Sequence, residues 1–145
     1  MPLPRLVYLL GYAGLIPFLL GPAWITFSPD TTPAWLDVAW KQYAGVIASF
    51  MAGSFWGLAL LASEGPEGKF GLVIATLLAA SSWIAMVLPF QEELHALIFV
   101  FLAQLLAEFW RERVLDPMSG YFFMRVTLTL GVLVSIVWRL MLRPV

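Results

Sequence analysis

YAGVIASFMAGSFWGLAL (43–60) contains no charged side chain and offers only two serines and a tyrosine as polar groups. Crossing roughly 30 Å of hydrocarbon takes about 20 mainly apolar residues in a helix. With its flanks, 40–62, the stretch therefore predicts a membrane span. Four others meet the same test, at about 4–27, 69–90, 94–113 and 119–141. The expected fold is an all-α integral membrane protein, a single bundle of five transmembrane helices with short loops, forming one domain over 1–145.

Composition agrees. The 145 residues are 61% hydrophobic and 12% charged, with a mean hydropathy of +0.89. Soluble domains usually carry about 25% charged residues. The net charge of −1 gives no basic surface for nucleic acid. With no cysteine, disulfides and thiolate metal sites are excluded. Arg5 followed by LVYLLGYAGLIPFLLGPA (6–23) has the look of a signal peptide. Because the sequence begins at Met1, it is read instead as the first span.

The connections hold most of the acidic residues: 28–39 with Asp30 and Asp37, 63–68 with Glu64 and Glu67, the turn Gln91-Glu92-Glu93, and 114–118 with Asp116. In the first of them, Thr32 and Pro33 suggest a cap and first position for a short interfacial helix. Trp35 and Trp40 suit the headgroup region. Arg5, Lys69, Arg111 and Arg113 fall on one side, and Lys41, Arg139 and Arg143 on the other. The positive-inside rule then favours a cytoplasmic N-terminus by four to three.

Within 43–60, Gly45, Ser49, Gly53 and Gly57 recur every four residues, with Ala44, Ala48 and Ala52 in a lane beside them. Helices in lipid associate through close backbone approach. This edge is thus expected to be the packing spine of the bundle, with the first span as its neighbour. A homodimer seam and a ligand on the bare backbone are the alternatives. Trp56 interrupts the surface next to Gly57. In the first span, Pro17 removes a backbone donor in mid-span and predicts a kink.

Gln104, Glu108 and Arg111 share one helical face, and Arg125 lies at a similar depth on the next span. An unpaired charge there costs from about 2.5 to more than 10 kcal/mol. Glu108 and Arg125 are expected to pair, directly or through Gln104 or water. That pair would be a register lock or a proton or anion relay, and the alternative is Arg125 snorkelling to the interface. His95, the only histidine, sits at a helix start after Glu92 and Glu93 and reads as a solvated cap rather than a metal ligand. No catalytic, phosphate-binding or haem-ligating motif is present, so no cofactor is implied.

The stretches LGYAGLIPF (10–18), YAGVIASFMAGSFWGLAL (43–60), the Gln104/acidic element and RVTLTL (125–130) resemble a family of small membrane proteins. These are bacterial proteins with a domain of unknown function, related to mitochondrial transmembrane protein 69. In that family the second stretch usually reads Y-x-A-V-I-L-S-F-L-G-G-x-H-W-G, and Phe55 stands here in place of its His. The family also favours Asp near the position of Glu108. The resemblance implies about five spans in a bacterial inner (plasma) or mitochondrial inner membrane, and no activity.

The sequence therefore favours a non-enzymatic multi-pass protein, a packing or assembly partner in the lipid bilayer, self-associating or joined to another membrane protein. The alternative is a binding or transport protein for a small solute, proton or lipid-like ligand. Its site would draw on Pro17, Gly53, Trp56, Gln104, Glu108 and Arg125. An enzyme acting on a lipid or quinone comes third, with Glu108 as its carboxylate.

Overall fold

A computed structural model describes residues 4–114 and 120–142 of the chain. The 114–118 connection beyond Val114, with Asp116, and Arg143 lie outside them. The described residues form α1 (Arg5–Ala13), α2 (Leu15–Phe27), a 3₁₀ turn (Pro29–Thr31), α3 (Leu36–Leu60), α4 (Pro66–Met86), α5 (Phe90–Val114) and α6 (Tyr121–Met141). Taken together, α1 and α2 make one span. With α3 to α6 they give five helices long and apolar enough to cross a membrane. The expected all-helical five-span architecture is the observed one.

Their outer surface supports that reading. Leu9, Phe27, Phe50, Leu77, Phe99, Leu106 and Phe123 are among many large apolar side chains left exposed around the bundle. Soluble monomers rarely expose contiguous apolar patches beyond a few hundred Å². A belt of this kind is consistent with contact to lipid.

Two prolines shape the first span, each in a different way. Pro17 is the third residue of α2, within the first turn, where a helix has no use for its N–H. The break falls before it, at Gly14, so the expected kink is a change of helix. Pro22, inside α2, leaves the carbonyl of Phe18 without its usual donor. The indole of Trp40 in α3 supplies one, with Nε1 donating to Phe18 O at 2.9 Å. Gly21 makes the approach possible, because a Cβ there would lie 2.6 Å from the Trp40 ring. Tyr43 adds a second tie at the break and donates to Gly14 O at 2.7 Å. Phe18 packs edge-on against Trp40, Tyr43 and Phe101 and completes the join between α2, α3 and α5.

Two boundaries differ from expectation. Thr32 does not cap a helix beginning at Pro33. Its hydroxyl turns back to Ser28 O, and α3 starts at Leu36 with no side-chain cap. Gln91, Glu92 and Glu93 are the first turn of α5 rather than a loop, since the helix begins straight after Pro89. Acidic residues suit that end of the helix dipole.

Within the bundle α3 packs most extensively against α4. The lane that α3 buries is Ala44, Ala48, Ala52, Phe55 and Ala59. On its side α4 buries Gly68, Gly71, Ala75, Leu78, Ser82 and Ala85. Small residues on both helices bring the backbones close. Of the glycine lane only Gly45 joins this seam, where a Cβ would collide with Met86. Ser49, Gly53 and Gly57 are exposed, and none of the described residues lies within 4 Å of where a Cβ of Gly53 or Gly57 would sit. The spine of α3 is thus its alanine lane, and its principal neighbour is α4 rather than the first span.

Candidate functional site

Polar side chains are buried at both ends of the bundle. At the end holding the start of α3, α5 and the finish of α6, Arg139 grips Asp37 with both arms of its guanidinium. Nε donates to Oδ1 at 2.8 Å and Nη2 to Oδ2 at 2.6 Å, with the Phe90 ring 5.0 Å from the guanidinium carbon. Beside it Glu93 is almost fully buried and faces Lys41 at 3.7 Å. His95 is exposed, its Nδ1 2.8 Å from Gln91 O.

At the opposite end, α5 carries the predicted face. Gln104 Nε2 donates to Ala48 O in α3 at 2.7 Å, tying the two helices together by a buried bond. One turn on, Glu108 accepts from Arg111 Nε at 2.9 Å, with both side chains at least 98% buried. Arg111 also meets Glu112 at 3.7 Å and lies over the Tyr121 ring at 5.3 Å. The expected pair of Glu108 with Arg125 does not form, and Gln104 does not bridge them. Arg111 is three residues along the same helix and needs no agreement of depth between two helices. It takes the carboxylate first.

Arg125 is therefore left in another setting. It is 3% exposed, so it does not snorkel to the interface. Among the described residues no carboxylate lies within 4.0 Å of it. Its Nη1 is directed at the thioether sulfur of Met51 in α3, and its Nε has no hydrogen-bond partner. A thioether is a weak acceptor, so the positive charge goes largely uncompensated by this contact.

Beside Arg125 opens a cavity of about 390 Å³ between α1, α2, α3, α5 and α6. Val7, Leu10 and Gly11 form one wall, Ile47, Phe50 and Met51 another, and Met124, Leu128 and Val132 a third; the buried Phe18 and Phe101 also line it. The volume falls within the range of roughly 300 to 1,000 Å³ typical of small-molecule sites. The lining is overwhelmingly apolar. Its polar groups are few and mostly lie on one stripe of α6, at Tyr121, Arg125 and Thr129, four residues apart. From Tyr121 to Val132 the cavity follows α6 for about 16 Å at 1.5 Å per residue.

Of the residues singled out from sequence, Arg125 lines this cavity, while Pro17, Gly53, Trp56, Gln104 and Glu108 do not. Pro17 and Gly53 are on the outer surface, and Trp56 is 43% exposed. Gln104 and Glu108 share the α5 core face, next to the cavity but turned to other partners. Tyr121, Met51 and Thr129 were not among those residues. The four-residue spacing of Tyr121, Arg125 and Thr129 was the available signal. Among the described residues no three His, Cys, Asp or Glu side chains gather into a metal-binding group.

The chain belongs to the family described as "Protein of unknown function (DUF3429)", whose pattern matches residues 3–141. Comparison with curated proteins and with solved structures gives no match.

Proposed function

We propose that this five-span member of the family binds a membrane-embedded, lipid-like molecule in the cavity between α1, α3 and α6. The observation that carries the reading is the cavity itself: mostly apolar walls on α1, α2 and α3 face a polar stripe on α6, from Tyr121 through Arg125 to Thr129, that covers about 12 Å of its roughly 16 Å length. Such a lining suits an amphiphile. Sites of this kind bury most of a ligand against apolar side chains and orient it by a few polar groups. The protein would lie in the bacterial inner membrane with its N-terminus cytoplasmic, and α6 would then present Tyr121 and Arg125 near the cytoplasmic leaflet.

Filling the cavity tests this. Leu128 lines it from α6, and Leu128→Trp should lower photo-cross-linking of a diazirine-bearing fatty alcohol by about tenfold, the equivalent of 1.4 kcal/mol. Thermal stability should hold or rise, as cavity filling commonly stabilises. Equal labelling of the variant would count against the reading.

A second reading, association of α3 with another helix, is favoured by the open space over Gly53 and Gly57. At Gly53 a Cβ has nothing within 4 Å among the described residues, so Gly53→Leu starts into open space. It should leave labelling unchanged and disrupt self-association or partner copurification if that face is a seam.

A further inference from the structure

Arg125 is a buried cation whose Nη1 faces a thioether sulfur and whose Nε has no hydrogen-bond partner among the described residues. The other buried arginines are not in that position. Arg139 holds both oxygens of Asp37, and Arg111 holds Glu108. A guanidinium cannot be neutralised by losing its proton at any ordinary pH. An uncompensated charge at this depth is expensive, so the arrangement calls for an anion supplied from outside the chain.

The groups around Arg125 fit that demand. Tyr121 and Thr129 lie one turn before and one turn after it on the same face of α6, and all three line the cavity. Thr127 spends its hydroxyl on Phe123 O. The Tyr121 and Thr129 hydroxyls make no hydrogen bond among the described residues, so both can donate. A planar guanidinium fork flanked by two hydroxyls matches the oxygens of a carboxylate or a phosphate. Opposite them the walls from α1, α2 and α3 are mostly apolar, and Val132 carries the α6 lining one turn past Thr129.

We propose that the occupant of this cavity is a single-chain amphiphile with an oxyanion head, carboxylate or phosphate, held by Arg125 with Tyr121 and Thr129. This rests on the reading that the cavity takes a lipid-like molecule, and adds the charge and chemistry of the head. The chain lies along α6 toward Phe18, and the head stays at the end of the bundle that carries Arg111.

The test is competition by decanoic acid, decyl phosphate and decanol, at neutral pH in nanodiscs of neutral lipid, against the diazirine-bearing fatty alcohol. The wild type should bind one or both anions about ten- to a hundredfold more tightly than decanol, the range of a charge-assisted hydrogen bond. Which anion is preferred identifies the head. Arg125→Gln should bind all three alike, and Arg125→Lys, keeping the charge without the fork, should fall between. If Arg125→Gln does not fold, the wild-type preference and its reduction in Arg125→Lys decide the matter.

Equal binding of the three compounds by the wild type overturns the anionic head and leaves the lipid-like reading standing. Binding of none of them, with no labelling by the alcohol, removes that reading as well.

Discussion

Replacing Glu108 by Leu is expected to destabilise the protein by about 3 kcal/mol or more, measured as a shift in the free energy of unfolding in mixed micelles. Removing one partner of a buried ion pair typically costs about 3–5 kcal/mol, because the other charge is left in a poor solvent. Here neither carboxylate nor guanidinium reaches water, at 0% and 2% exposure. Glu112, 3.7 Å from Arg111 and partly exposed, replaces only part of what is lost. The loss should be strongly non-additive with Arg111→Met. Two apolar replacements remove the fully buried charges and leave only the partly exposed Glu112 without its arginine, so the double variant should be more stable than Glu108→Leu alone. The same cycle run against Arg125 should show little direct coupling. Strong coupling of Glu108 to Arg125 instead would restore the pairing that the two spans suggest from sequence.

Asp37→Ala is expected to cost about 2–3 kcal/mol by the same measurement, toward the lower end for a buried pair because Asp37 is partly exposed. Among the described residues Arg139 would keep the Phe90 ring beneath it. Since the bond is bidentate, Arg139→Lys should recover little of the stability, for an ammonium has no planar fork to offer. The pair joins the first turn of α3 to the last turn of α6. Its loss should therefore loosen the end of α6 first, visible as faster hydrogen exchange over its last two turns. A variant as stable as the parent would mean that the pair is too well hydrated to hold the bundle.

The five spans were legible because membrane insertion reads one coarse property, apolar length, and tertiary packing hardly modifies it. Finer choices depend on neighbours. The glycine and alanine lanes of α3 run side by side in the sequence, and both satisfy the small-residue rule for helix contact. Only the arrival of α4, with its own small face from Gly71 to Ala85, decides that the alanines go inside. Pro17 drew attention as a mid-span proline, yet Pro22 has the larger consequence, since it frees the Phe18 carbonyl for Trp40. A sequence shows which N–H is missing but not which donor comes to replace it.

The candidate site shows the same division. Gln104, Glu108 and Arg111 were recognisable as a buried polar face by their spacing on one helix. Arg125 was recognisable as an intramembrane charge, but its partner was inferred from depth alone. Equal depth allows a pair without requiring one, and a nearer arginine on the same turn wins. Asp37 with Arg139, and Glu93 with Lys41, were out of reach because each joins residues far apart in the chain on helices whose rotation no local pattern fixes. The cavity belongs to that class too, being a property of five helices at once.

The most direct measurement is the site of cross-linking by a single-chain fatty acid with a diazirine near the far end of its chain, mapped by peptide mass spectrometry. A carboxylate held at Arg125 places the label deep in the cavity, on peptides containing Phe18, Ile47, Phe101 or Val132. Labelling spread over the lipid-facing residues Leu9, Leu77, Phe99 and Leu106, and unchanged in Leu128→Trp, would contradict a ligand site between α1, α3 and α6.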